Sequence, residues 1–391
     1  LSVLVMKLTP CAQRTSALDE KILEITSLNA SFRAIPESIR DTVKILLERV
    51  NSFYSNKIEG NPTKPKELIE LDSGKNKKGI NEIRRHISVQ NLLKDYNYSP
   101  TDISSEQFIK FLHESFYKDT PIEERTVISE ITKQTFYVEA GEYRTTDVEV
   151  GNHFPPQPDE LNGYMSEFSK IYKLSNQEGL DKFYKAAASH HRLTWIHPFL
   201  DGNGRVTRLF TDCYMKAIGL DSYGLWSMSR GFARDTDKYY AHLAIADQRR
   251  QGNYDGRGIL SDRGLATFTE YFFDIAIDQM KFFLGLLDPQ GLKTRISLYF
   301  DICIGGGMID LDGNTLPKLS KESKRIYEIL LYEGPKMRKD IEEKLQISEK
   351  TLRNILNEMQ EYGLVFLQHK QPIEPRLAPS SIQIFFPHLF I

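Results

Sequence analysis

The sequence predicts a mainly α-helical protein, and three features predict it. Apolar residues recur at intervals of three and four through most of the chain, and the one stretch with strand-like alternation is short. After Gly291 the order becomes helix, helix-turn-helix, strand, which is that of a winged helix. At 391 residues the chain exceeds one typical core, so two or three domains are expected. The boundaries read as 1–115 for a helical N-terminal region, 116–288 for a central core and 289–391 for a winged-helix-like domain.

Each element has a local reason. From Pro36 to Glu59 the residues Ile39, Val43, Leu46, Leu47, Val50, Phe53, Tyr54 and Ile58 share one helical face, with Pro36 in the first turn and Gly60 as the stop. Ser55 and Glu59 are four apart, so both point to one side of the last turn. A carboxylate there opposes the negative end of the helix and needs a cation, unless it is simply a solvated surface group. The lysine-rich stretch Lys64 to Lys78 reads as a wet loop, followed by helices over Ile80–Tyr96 and Thr101–Tyr117, the latter capped by Ser104 or Ser105. Thr132 to Pro158 predicts a small β-hairpin or flap, with Val148 and Val150 flanking Glu149 and Gly151 closing the run. Helices are expected again over 158–174, 179–194, 204–219 and 234–250, with two more between Leu265 and Leu287. Asp288-Pro289-Gln290-Gly291 reads as a linker, and helices over 319–331, 337–345 and 348–362 lead to a strand at Leu364–Leu367. Asp310 to Asn314 lacks the remaining ligands of a calcium loop and reads as turns.

Composition removes several function classes. Lys and Arg total 51 against 53 Asp and Glu, a net charge of -2, so no general basic field attracts nucleic acid or anionic membrane. The three cysteines, Cys11, Cys213 and Cys303, are odd in number and widely spaced, which fits reduced thiols and a cytoplasmic setting. The opening apolar run is too short for a signal-peptide core and no stretch reaches a membrane span, so a soluble protein with no membrane partner is expected.

The chemistry concentrates in His197-Pro198-Phe199-Leu200-Asp201-Gly202-Asn203-Gly204-Arg205-Val206-Thr207-Arg208. Pro198 breaks one helix and Gly204 opens the next, so the loop joins two helices. Its glycines let main-chain N–H groups turn toward an anion at a helix N-terminus. Arg205 and Arg208, three apart, can bind phosphate oxygens together. Asp201 is a hard ligand suited to Mg2+ with a polyphosphate, and His197 can take a proton near neutrality. Together they suggest nucleotide-dependent group transfer to a hydroxyl. Taken singly, each feature also fits a structural histidine, a tight turn and a solvated helix face. Zinc on His190, His191 and His197 is a weaker option, because adjacent histidines on a helix diverge.

This loop matches at every defined position the HPFx(D/E)GNGRxxR signature of the Fic family, which it resembles. Gly141-Glu142-Tyr143-Arg144 through Val150-Gly151-Asn152-His153 and Pro155-Pro156 is similar to the family's flap, and Lys238-Tyr239-Tyr240 to a later nucleotide-pocket segment; the similarity spans roughly Glu139 to Asp247. The resemblance implies a Fic-type helical catalytic core over 116–288 and transfer of AMP from ATP to a protein Ser, Thr or Tyr hydroxyl. His197 would be the base and Asp201 would hold Mg2+. Gly202, Asn203 and Gly204 would bind the anion, with Arg205, Val206, Thr207 and Arg208 continuing the cradle. Val150, Gly151, Asn152 and His153 would align the target beside the nucleotide. Tyr239 and Tyr240 would wall the adenosine pocket; Asp247 stands where relatives often carry Asn, which puts its contact with the base in doubt. Ser55-x-x-x-Glu59-Gly60 resembles the family's inhibitory (S/T)xxxE(G/N) motif, which would set Glu59 against Arg208 in the place of the γ-phosphate.

Two other functions stay open on the sequence. One is removal of AMP from a modified protein at the same site. The other is a winged-helix DNA-binding regulator whose core only senses nucleotide. Lys350 and Arg353 suit a recognition helix, but Glu349, Glu358 and Glu361 share it, so duplex DNA is the lesser candidate and a protein contact the greater. The expected partners are a hydroxyl-bearing protein, which includes the chain itself, and a second copy as a homodimer.

Overall fold

A computed structural model describes residues 8–69, 78–95, 103–128, 133–151, 153–176, 179–307, 309 and 315–390. Thr101, Thr132, Asn152, Asp310–Asn314 and part of the lysine-rich loop, 70–77, lie outside the described residues. The protein is mainly helical, as the periodicity predicts, and gathers into two compact units. One takes residues up to 29, 51–222 and 226–280; the other takes 30–50, 223–225 and 281–391.

Helix α1 (Ser16–Ser31), which the sequence reading did not single out, buries Leu18, Ile22 and Ile25. Helix α2 (Glu37–Ile58) ends as expected at Gly60, which takes a φ of +79°. The Asn61 N–H reaches Asn56 O at 3.1 Å and the Gly60 N–H reaches Lys57 O at 3.0 Å, a closure that only a left-handed residue permits. It fixes the direction of Glu59. Helix α3 (Pro65–Ile69) is short, and α4 (Lys78–Asp95) and α5 (Glu106–Tyr117) follow. Ser105 is the cap of α5, its Oγ accepting from the Phe108 N–H at 3.1 Å, while Ser104 bonds Ser169 O.

The hairpin lies earlier than expected. Strands β1 (Thr126–Ile128) and β2 (Thr135–Tyr137) pair antiparallel with Val127 opposite Phe136. The 148–153 segment is reduced to one bridge between Val150 and His153. The reason is a competing donor: the Arg144 guanidinium takes Thr146 O at 3.0 Å and Pro156 O at 2.5 Å, and Pro155 and Pro156 have no N–H to give a ladder.

Helices α6 (Leu161–Tyr172), α7 (Asp181–Ile196) and α8 (Asn203–Ala217) form the centre of the first unit. Helix α7 packs against α6, α8 and α10 and is buried on nearly every side, including Ser189, His190, His191 and Arg192. The helix expected over 234–250 is present, shortened to 236–247, and a short helix precedes it. Helix α9 (Met228–Arg234) stops at Asp235, whose carboxylate accepts from the Lys238 N–H at 2.9 Å to start α10 (Thr236–Asp247). Where two helices were expected, α11 (Asp262–Leu286) is one, because residues 265–284 contain no glycine or proline.

Asp288-Pro289 is a helix start and not a linker. Asp288 Oδ2 accepts from the Gly291 N–H at 2.8 Å and Pro289 occupies the first turn of α12 (Pro289–Gly305). In the second unit α13 (Lys321–Glu333), α14 (Arg338–Leu345) and α15 (Glu349–Glu361) precede β3 (Val365–Phe366), which pairs antiparallel with β4 (Glu374–Pro375). Helix α16 (Pro379–Phe385) returns to pack on α12. Among the described residues no helix is long and apolar enough to cross a membrane.

Candidate active site

The loop between α7 and α8 is built by its own sequence. Proline cannot follow a helical residue without strain, and His197 responds by turning left-handed, with φ +50°, while its N–H still reaches Leu193 O at 3.2 Å. Asn203 then staples the loop shut. Its Oδ1 accepts from the Phe199 N–H at 2.9 Å and its Nδ2 donates to Phe199 O at 2.7 Å. Gly202 has φ +78°, and a Cβ there would meet the Tyr117 ring at 2.8 Å. The result aims the first turn of α8, with its unpaired N–H groups, at the space in front of the loop.

Charge is arranged around that turn. Asp201 Oδ2 accepts from Tyr117 OH at 2.6 Å and from Arg205 Nη2 at 3.1 Å, and Arg205 Nη2 also donates to Tyr117 OH at 2.6 Å. Desolvation pushes the Asp201 carboxyl upward, but Arg205, Tyr117 and the Gly202 N–H together hold it below its usual range. His113 supports the main chain of the same residue. Its Nδ1 accepts from the Gly141 N–H at 2.9 Å, so its Nε2 donates, to Asp201 O at 3.2 Å, and its ring stacks on Phe199 at 3.9 Å. The sequence reading missed Tyr117 and His113. Their spacing of four on α5 was the available signal, but Asp201, which both reach, lies more than eighty residues away.

Arg208, 2% exposed, faces the end of α2 through Nε and Nη2. Its Nε donates to Ser55 Oγ at 2.9 Å, and its Nη2 donates to Ser55 O at 2.7 Å and to Glu59 Oε1 at 2.6 Å. The carboxylate that is misplaced at its own helix C-terminus therefore sits at the N-terminal turn of α8 and beside a guanidinium, where both fields favour it. Its approach needs Gly204: a Cβ there would lie 2.1 Å from Glu59 Oε1 and 2.9 Å from Arg208 Nη1. Helix α4 braces this end of α2, with His86 Nδ1 accepting from Asn56 Nδ2 at 3.2 Å and Asn61 Nδ2 donating to Glu82 Oε2 at 2.7 Å. Val206 and Thr207 are 1% exposed and lie in the packing beneath the cradle.

The His197 ring is neutral at neutral pH. Burial, aided by the nearby Arg144 guanidinium, pushes it down to about 4, and its Nδ1 is buried with no hydrogen-bond partner. Arg144, quoted in the sequence only as part of the flap, proves to be the clamp between flap and loop. Its N–H donates to Pro198 O at 2.9 Å and its Nε to His197 O at 2.9 Å, beside the two flap carbonyls it already holds. In the flap itself His153 Nε2 donates to Trp195 O at 2.7 Å and Gly151 has φ +59°.

The two tyrosines part company. Tyr239 is 2% exposed and its hydroxyl meets His190 Nε2 at 2.8 Å, so it supports the site from inside. Tyr240 is 46% exposed, donates to Ile58 O at 3.1 Å and lines a cavity of about 1220 Å³ together with Val150, Trp195 and Asp247. Asp247 Oδ1 is engaged by His191 Nε2 at 2.9 Å. His190 and His191 are thus both committed, which removes the zinc option with His197. Among the described residues no group of three or more His, Cys, Asp or Glu is placed to hold a metal. Asp201, ionised and facing the cradle, suits a hard cation only if phosphate oxygens complete the shell.

Comparisons with known proteins agree with this geometry. Residues 103–215 match the model of the Fic/DOC family. Relatives named "Protein adenylyltransferase Fic" include those of Nematostella vectensis, 29% identical over 205 residues (52% of this chain, 44% of the relative), and Culex quinquefasciatus, 29% identical over 199 residues (50% and 36%). The chain spans less than half the length of these curated relatives. A solved Fic family protein from Desulfovibrio desulfuricans G20 superposes with a TM-score of 0.55 at 17% identity, over 94% of this chain and 98% of that one. The segment 103–215, which carries the His197–Arg208 loop, thus matches the Fic/DOC family, and the fold is that of a solved Fic family protein.

Proposed function

We propose that this chain is an autoinhibited protein adenylyltransferase, which moves AMP from ATP to a protein hydroxyl and is held closed by Glu59. The observation that supports this best is the three-bond grip of Arg208 on Ser55 and Glu59 at the first turn of α8. The anion-seeking end of the cradle is met by a carboxylate of the chain itself.

In the proposed reaction the target hydroxyl oxygen forms a bond to the α-phosphorus, the bond from that phosphorus to the leaving pyrophosphate breaks, and the hydroxyl proton passes to the His197 ring. Burial keeps that ring neutral and able to accept; a polyanionic phosphate beside it favours the protonated form that results. Arg144 sets the ring's backbone in place and Asn203 keeps the loop closed. Gly204 allows close approach of an anion, and Arg205 and Arg208 would neutralise phosphate oxygens once Glu59 withdraws. Asp201 would hold Mg2+, which when bound with ATP neutralises phosphate charge.

The test is labelling with α-labelled ATP. Glu59→Gly should raise labelling of the chain or of a target in lysate, and adding His197→Ala should abolish it. A Glu59→Gly chain that binds Mg2+-ATP no better than its parent and labels nothing would overturn the proposal.

A further inference from the structure

The 1220 Å³ cavity beside the flap is larger than the roughly 300–1,000 Å³ of a typical small-molecule site. Its outer rim is a segment the phosphate chemistry does not use. Residues 248–260 leave α10 and fold back on themselves: Arg249 bridges Leu260, the Arg250 N–H reaches Ile259 O at 3.1 Å, and the Ser261 N–H reaches Gln248 O at 2.7 Å. A single carboxylate organises the interior. Asp255, 0% exposed, accepts from the Gln251 N–H at 2.8 Å, from Ser261 Oγ at 3.0 Å and from the Arg263 N–H at 3.0 Å. Gly252 and Gly256 supply the left-handed turns on either side.

The rim is thus a hydrogen-bonded loop that spends its only acid internally, and Arg250 gives one guanidinium N–H to Gly256 O at 3.3 Å. Arg249, Arg250 and Arg257 are exposed, and among the described residues none of them has a carboxylate at ion-pair distance. Arg249 and Arg250 line the cavity. The cavity's own acids are already engaged, Glu160 by the Gln157 N–H at 2.9 Å and Asp247 by His191. Two aromatic side chains, Phe154 at 74% and Tyr254 at 101%, stand exposed on the flap and on the rim. A pre-ordered loop offers such groups at little entropic cost, and arginine forks match carboxylates in pairs.

Resting on the reading that the substrate is a protein hydroxyl, we propose that the 248–260 rim docks an acidic segment of the target next to the modified residue, through Arg249 and Arg250. The carboxylates of that segment would pair with the two guanidinium groups while its apolar side chains cover the aromatic positions.

The experiment is binding of fluorescent peptides to the full chain by anisotropy. One Ser-, Thr- or Tyr-bearing peptide is flanked by glutamates and its twin by lysines. The acidic peptide should bind about tenfold more tightly than the lysine twin, and added salt should weaken it. Arg249→Glu with Arg250→Glu, assayed without nucleotide, should erase or invert that preference. Equal binding of the twins, or a preference that survives the double substitution, overturns the proposal, as does arginine-dependent binding of duplex DNA without acidic-peptide preference. Binding does not need turnover. Acidic-peptide binding by a Glu59→Gly chain that transfers no nucleotide would count against the transferase reading and leave the docking rim standing.

Discussion

Replacing Glu59 with glutamine should raise the affinity for Mg2+-ATP about tenfold. The substitution keeps the shape and one acceptor oxygen and removes the charge. The Glu59–Arg208 pair is 2.6 Å long, with side chains 36% and 2% exposed. Exposed pairs contribute up to about 1 kcal/mol, and breaking a fully buried one costs about 3–5 kcal/mol. A pair buried on one side only falls between, at about 1.5 kcal/mol, which is about tenfold in a binding constant if the nucleotide must displace the carboxylate. Ser55→Ala removes one neutral acceptor from the same guanidinium and should give about threefold. Titration calorimetry with Mg2+-ATP measures both. A change under about twofold for Glu59→Gln, or weaker binding, would refute the competition argument, since α2 would still hold Arg208 through the Ser55 carbonyl.

Three further outcomes follow from the geometry. His86 and His113 are pushed down to about 3 by burial, and His190 well below its usual value. The unfolded chain then binds protons that the folded one refuses, and His197, pushed down to about 4, acts in the same direction; stability is greatest above pH 6.5 and falls below it, and urea titrations should show a loss of about 1.4 kcal/mol at pH 5.5 for each such histidine. Arg144→Ala should cost about 2 kcal/mol, because it strands the buried carbonyl of Pro156 and the half-buried carbonyls of His197 and Thr146, and should lower labelling by the Glu59→Gly chain; Arg144→Lys, lacking the fork, should restore little of either. Asp288→Ala should destabilise by about 1 kcal/mol in urea melts through loss of the α12 cap.

What was legible in the sequence was whatever repeats along it. The faces of α2, α4, α7 and α8 follow apolar spacing, and the ends of α2 and α7 follow Gly60 and Pro198. The His197–Arg208 loop was legible because its residues are consecutive. Groups that act by reaching across the fold were not. Arg144 satisfies carbonyls that a strand would have satisfied, so the flap reads as a hairpin and folds as a strapped turn. Tyr117 and His113 look like ordinary members of an amphipathic helix until Asp201 is placed beside them. Asp255 works through main-chain N–H groups and leaves no periodic trace. Asp288-Pro289 was legible and misread, since the pair that marks a turn also marks a cap followed by a first-turn proline.

Gly204 places a limit on how such a chain can change over generations. Under the proposed reading, one missing Cβ serves two opposed tenants, the phosphate when the site works and the Glu59 carboxylate when it rests. Any side chain there evicts both. A lineage can discard its brake through Glu59 or Ser55 and keep the engine, yet no substitution at Gly204 separates the two. The working and the resting enzyme are bound to a shared vacancy, and selection on either one preserves the other.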